Sequence, residues 1–229
     1  MVTKTNASAR RSRLAASRGA TLLCAAAAAG ALLTGCGSDN DSDTAKTDAS
    51  EAGRAASPSA SADGGTLTDD QSERKALVPK AKVGYEDALK SAVAAVDKSK
   101  PVSIELKGTP DAPHWDAEVA TDDGSAHSVR VDAVTGKADK PKADADQEAD
   151  DKQELADWLK KATVTPQQAA ETATGKKKGT VTSVELDDSD KGRTVLWSVD
   201  VVTPEDWNKT TFDVDATNRK ILREHVDKD

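Results

Sequence analysis

The chain has 229 residues, with 32 basic and 40 acidic side chains, a formal net charge of −8 and only 3% aromatic residues. That balance argues against a nucleic-acid role, because neutralising phosphates needs a basic footprint, and against a domain lying directly on anionic lipid. Two cysteines, Cys24 and Cys36, leave no room for a disulfide framework or a cysteine-based metal site.

Residues 1–35 read as a leader, not as part of the fold. Lys4, Arg10, Arg11, Arg13 and Arg18 form a basic start without a single acid. Gly19–Leu33 is an alanine-rich apolar run, of signal-peptide length and too short for a stable membrane span. The run ends in Leu33-Thr34-Gly35-Cys36, which resembles a bacterial lipobox. The resemblance implies cleavage before Cys36 and lipidation of that cysteine. Arg10-Arg11 leaves the choice between general and twin-arginine export open. Removal of the leader takes away five basic residues and Cys24, leaving 27 basic against 40 acidic residues, about −13. With Cys36 acylated, no thiol would remain.

Residues 36–75 read as a disordered tether. Leu67 is the one large apolar residue in a stretch of Ser, Ala, Asp, Thr and Gly, so ordering it has nothing to offset its entropy cost. A helix follows, with Tyr85, Ala88, Leu89, Ala92 and Val96 on one face, Gly84 at its N-cap and Glu86 and Asp87 in its first turn. Val102–Lys107 is the first strand.

The centre of the chain is a hairpin over residues 114–137. Trp115, Ala117 and Val119 alternate with polar residues on one arm, and Val129 and Val131 on the other. Asp123-Gly124 predicts a type I′ turn, and Gly136 supplies positive φ to a second turn after Asp132. Ala138–Asp151 reads as a charged linker or surface loop. Lys152–Ala162 is an amphipathic helix carrying Leu155, Trp158 and Leu159. Thr165-Pro-Gln-Gln168 is a capping box that starts a further helix, with Gly175 as its expected stop. Strands are expected at 180–186, 194–202, 208–215 and 220–225.

These last elements repeat the earlier ones. Trp115 and Trp197 stand 82 residues apart, and Asp132 and Asp215 stand 83 apart. Two copies of a small α+β unit fit this spacing. The chain thus divides into a lipoprotein signal peptide over 1–35, a tether over 36–75, a first unit over 76–140, a linker with a short helix over 141–163, and a second unit over 164–229.

Each unit resembles the PepSY family. In the first copy the resemblance lies in Ala88-Leu89, Val102–Leu106, Trp115-x-Ala-x-Val119 and Val129-Arg-Val-Asp-Ala-Val-Thr-Gly136. In the second it lies in Ala169-Ala170, Val181–Leu186, Trp197-x-Val-x-Val201 and Phe212-Asp-Val-Asp-Ala216. The second copy departs where glycine is usual: Arg219 follows Asn218, so the turn must differ or place Asn218 in the left-handed region. The resemblance implies an α+β fold, two helix-on-sheet units with three or four antiparallel strands each. It also implies a secreted, non-catalytic module, since the family includes part of the propeptide of thermolysin-type peptidases and is thought to regulate proteases. It carries over no catalytic residue.

The residues themselves point the same way. His114, His127 and His225 have no metal-ligand spacing, although the first two could approach across the hairpin. Asp187-Asp-Ser-Asp-Lys-Gly192 resembles the start of a calcium loop, but Lys191 stands where an oxygen ligand is needed. No nucleophile elbow, phosphate loop or nucleotide fingerprint is present. We therefore expect no enzyme, no cofactor and no metal. The expected protein is a lipid-anchored lipoprotein on the outer face of the cell membrane. Its partner would be a protein, either a peptidase that it inhibits or a membrane protein through which it acts as an envelope sensor of a ligand or cation. The expected contact regions are the Asp122–Ser125 turn and the Asp187–Arg193 loop.

Overall fold

The computed structural model describes residues 66–189 and 194–227. Their elements are α1 (Asp69–Leu77), a 3₁₀ turn (Val78–Lys80), α2 (Tyr85–Ala95), β1 (Ser99–Thr109), β2 (Ala112–Thr121), β3 (Ala126–Asp132), β4 (Lys142–Ala143), α3 (Ala149–Lys161), α4 (Pro166–Lys176), β5 (Thr180–Asp188), β6 (Val195–Val202), β7 (Lys209–Asp215) and β8 (Ile221–Asp227). The strands form one antiparallel sheet in the order β4-β3-β2-β1-β5-β6-β7-β8. The two units therefore share a sheet, with β1 beside β5 at its centre.

Directly opposed residues lie on the same side of a sheet, so the register defines the core. Trp115 opposes Leu106, Ile104 opposes Val184, and Leu186 opposes Trp197. This row crosses both units on one face. Helix α2 packs against β1, β2 and β3, and α4 packs against β5, β6 and β7. Small residues make this close approach feasible: Ala88, Ala92, Ala169 and Ala173 are all fully buried. Ile104 and Val184 occupy equivalent places in the two copies and pair with each other, so the repeat axis passes between them. The register shifts at Pro101/Ser103 and Val181/Ser183 are equivalent too, 80 residues apart.

Each unit is fastened by one indole. Trp115 Nε1 donates to Val83 O at 2.9 Å, and Trp197 Nε1 donates to Val164 O at 2.8 Å. The same short entry segments donate to the far turn. Lys82 and Val83 N–H groups reach Ala133 O, and those of Thr163 and Val164 reach Ala216 O. Both tryptophans are core residues, 1% and 3% exposed.

Several expectations change. The disordered tether does not extend to residue 75, because Thr68 and Gln71 form a complete capping box and residues 69–77 are helical. The leader and the tether as far as residue 65 lie outside the described residues. Gly175 does not stop its helix, which runs to Lys176. Its φ is not positive and the space around it is open, so nothing there forces a turn. Within Ala138–Asp151, Lys142–Ala143 pairs with β3, and α3 starts at Ala149 because Glu148 and Asp151 cap it reciprocally. The central hairpin turns through Asp122, Asp123 and Gly124. Thr121 O accepts from Gly124 N, and only Gly124 takes positive φ, +83°, so the turn is not type I′.

The departure at Arg219 resolves differently from either expectation. Arg219 itself adopts φ 65° where the first copy has Gly136 at 74°. The backbone bond is conserved between copies: Gly136 N donates to Asp132 O, and Arg219 N to Asp215 O. A left-handed arginine costs on the order of 1 kcal/mol. Its side chain is tied to α4 through Thr172 Oγ1 at 3.1 Å and Glu171 Oε2 at 3.3 Å, which offsets that cost.

Replacing Trp115 or Trp197 by Phe keeps an aromatic ring but leaves a main-chain carbonyl without its donor. Each change should lower unfolding free energy by about 2 kcal/mol. Urea denaturation of the single variants checks this, and similar losses are expected because the two anchors have the same geometry.

Candidate functional site

The sheet face opposite α2 and α4 carries the polar half of each strand. One row reads Ser128, Glu118, Ser103, Glu185, Ser198, Asp213, Arg223, each opposed to the next across neighbouring strands. The adjacent row reads Arg130, Asp116, Glu105, Ser183, Asp200, Thr211, His225. Acids therefore occupy the middle of the face and cations its margins.

Several of these acids are paired. Arg130 binds Asp116 at 3.2 Å, Lys107 binds Glu105 at 2.9 Å, and Arg223 binds Asp213 at 2.7 Å. Asp200 accepts from Thr211 Oγ1 at 2.6 Å and faces Lys209 at 3.6 Å. Glu118 and Glu185 have no ion pair among the described residues, and Glu118 Oε1 is buried without a hydrogen-bond partner. Burial pushes the Glu185 carboxyl up to about 7, reinforced by Asp187, Glu105, Glu118 and Asp200. Burial also raises Glu118, with Asp144 adding to it. Chemically this face can take up a proton near neutral pH. Among the described residues no group of three ligating side chains is placed to hold a metal ion.

These acids sit at the seam between the two units. The β1–β5 ladder has three residue pairs, whereas β1–β2 has ten. Two elements border the face. Helix α3 meets it beside Gly124, where an added Cβ would lie 1.9 Å from Lys152 O, and Glu154 on α3 feels the charges of Asp188 and Asp187. Helix α1 meets the other end: Gln71 donates to Asn208 Oδ1 at 2.8 Å and Arg74 Nε to Trp207 O at 2.7 Å.

The two ends of the sheet differ. The outer side of β3 is occupied by β4, the Val131–Ala138 bridge and the bond from Asp139 N to Arg130 O. On the other side β8 is seven residues long and, among the described residues, pairs only with β7. It contains no proline, and Leu222 and Val226 are 43% and 36% exposed. Such an edge presents a row of backbone donors and acceptors to an added strand.

The sequence-derived candidates fall in different places. Cys36 lies outside the described residues, as do residues 190–193 of the Asp187–Arg193 loop. The Asp122–Ser125 turn is engaged with the segment leading into α3: Gln147 donates to Gly124 O at 2.8 Å, and Ala126 N donates back to Gln147 Oε1. His114 opposes Asp132 and His127 opposes Val119, so the register keeps the two histidines apart. The acidic row escaped the sequence reading. The repeated Ser103-Ile-Glu105 and Ser183-Val-Glu185 was its visible trace, but only the strand order unites these residues. No helix among the described residues is long and apolar enough to cross a membrane.

A family model described as the peptidase propeptide and YPEB domain, PepSY, matches twice, over residues 82–138 and 163–225. No curated protein matches the chain. Two solved structures are similar. One is a candidate lipoprotein of Clostridium difficile 630, 21% identical with a TM-score of 0.41, covering 64% of this chain and 94% of that one. The other is the YpmB protein of Bacillus subtilis, 20% identical with a TM-score of 0.28, covering 63% and 98%.

The raised Glu185 makes stability pH-dependent. Between its ordinary value of 4.5 and about 7 the folded state binds more protons than the unfolded chain. Stability is therefore greatest at the acid end of this window and falls as pH rises through it, by up to roughly 3 kcal/mol. Asp132 acts oppositely. Donation from Thr135 N and Val134 N holds it low, so its contribution is present above its ordinary value and is lost as pH falls through the folded one. Denaturant titrations should thus show a maximum near pH 5. Glu185→Gln should flatten the limb between pH 5 and 8 and leave the acid limb unchanged.

Proposed function

The chain belongs to the PepSY family, carrying the domain twice, and from that premise we propose that it is a lipid-anchored extracytoplasmic protein that binds and restrains a secreted or surface peptidase. The open edge of β8 carries this reading. An extended substrate-like or loop segment of a peptidase can pair with β8 as a ninth strand, main-chain bonds supplying affinity and alternate side chains selectivity. The family's description as a peptidase propeptide supports a peptidase as the partner. The role asks for no catalytic group.

The anchor in this reading is Cys36, with the residues between it and α1 as the spacer. About 30 such residues span roughly 30 Å as a flexible coil, enough to hold the sheet clear of the headgroups. Cys36→Ser should abolish incorporation of a fatty-acid label and release the protein from the membrane fraction. Persistence of both label and membrane retention would refute the anchor.

A ligand-sensing role is the second reading. One observation favours it, a groove of about 430 Å³ between α2 and the start of α4, lined by Leu89, Val93, Ala94, Pro101 and Pro166. Thermal-shift screening of envelope components addresses it directly, since a ligand selective for the folded state raises the melting temperature.

For the peptidase reading, the full chain should inhibit at least one secreted peptidase of its own cell. The paired change Leu222→Lys and Val226→Lys, which places charges along the edge, should weaken inhibition about tenfold without altering the melting temperature. Inhibition kinetics and calorimetry on the two proteins check this. Failure to bind or slow any such peptidase would remove the proposal.

A further inference from the structure

We propose that β8 selects an antiparallel strand with a basic residue followed by an acidic one, flanked by apolar residues; this rests on the strand-addition reading above. The faces of β8 follow from its register. Arg223 and His225 oppose Asp213 and Thr211, which places them on the acidic face of the sheet. Glu224 and Val226 oppose Phe212 and Thr210, which places them on the helical face. A ninth strand keeps the same alternation, because its residues share a face with those they oppose.

The chemistry of each position is then specified. Arg223 is held through Nε by Asp213 at 2.7 Å, yet its side chain is 66% exposed. A guanidinium has five N–H donors, so a group committed through one retains others for an acid across the edge. Glu224 is exposed on the opposite face and favours a cation opposite it. Val226 and Leu222, both partly exposed, favour apolar partners at the two ends of the segment. An antiparallel strand runs against β8, so its residue opposite Glu224 precedes its residue opposite Arg223. The selected order is apolar, any, basic, acidic, apolar. The reverse order of the two charges sets like against like on both faces, and cross-strand charge pairs of either sign are worth a few tenths to 1 kcal/mol each.

The test uses two fluorescent peptides of one composition, built around Val-Thr-Lys-Glu-Val and Val-Thr-Glu-Lys-Val, titrated against the full chain at neutral pH. The first should bind about tenfold more tightly, with hydrogen-exchange protection at residues 221–227. Glu224→Lys, an exposed change, should abolish the preference, and combining it with Arg223→Glu should invert it. Equal binding of both peptides with protection at β8 would overturn the charge order while leaving strand addition intact. Binding without protection at β8, or no binding of either peptide, would overturn strand addition and the charge order with it.

Discussion

The fold depends on a bond made twice, a buried indole N–H donated to the main-chain carbonyl just before a helix. Trp115 and Trp197 each reach from the sheet to the entry of the helix covering them, 32 and 33 residues upstream. An indole carries one donor and no acceptor, so burying it in a core this poor in polar groups requires a carbonyl at a defined place. The Val83 and Val164 carbonyls meet that requirement. Their own N–H groups are held by Ala133 and Ala216, at the turns that end β3 and β7. Helix start, central strand and closing turn are thus fixed relative to one another in each copy. Buried helix residues as small as alanine can then suffice, because position is set by directional bonds as well as by buried area.

What joins the copies is weaker than what builds them. The three-pair ladder between β1 and β5 brings Ser103 opposite Glu185 and Glu105 opposite Ser183. Those positions are equivalent in the repeat, so any acid at one is brought near its counterpart by the symmetry itself. Glu105 is relieved by Lys107, whereas Glu185 is relieved by no ion pair among the described residues, which is why burial and like charge lift it so far. The seam is therefore where acidity and sheet continuity oppose each other.

Much of this was legible in the sequence. The helix over residues 85–95, the alternation in the hairpin arms, the capping box at Thr165 and the tryptophan spacing are local signals, and each element formed where its pattern lay. The α1 box was equally local, with Thr68 and Gln71 three apart, but it lay inside a stretch whose composition spoke for disorder. Strand order was not legible. Nothing in the residues states that β1 lies beside β5, so neither the shared sheet nor the acidic row nor the free edge at β8 could be placed. The left-handed Arg219 was hidden for a related reason: its ties to Glu171 and Thr172 span nearly 50 residues and exist only once α4 is docked.

The asymmetry of the two ends bears most directly on function. A two-fold repeat would by itself leave two equivalent edges, and a molecule with two open edges can propagate from copy to copy. Here the linker after the first copy folds back over β3, contributing β4 and the Val131–Ala138 bridge, while the second copy continues into a full fourth strand. The two β4 residues block one edge without offering a new one of useful length. Among the described residues β8 is then the long edge left without a partner strand. An edge of this kind on one side only would let the strand addition proposed above take one extended partner and then stop.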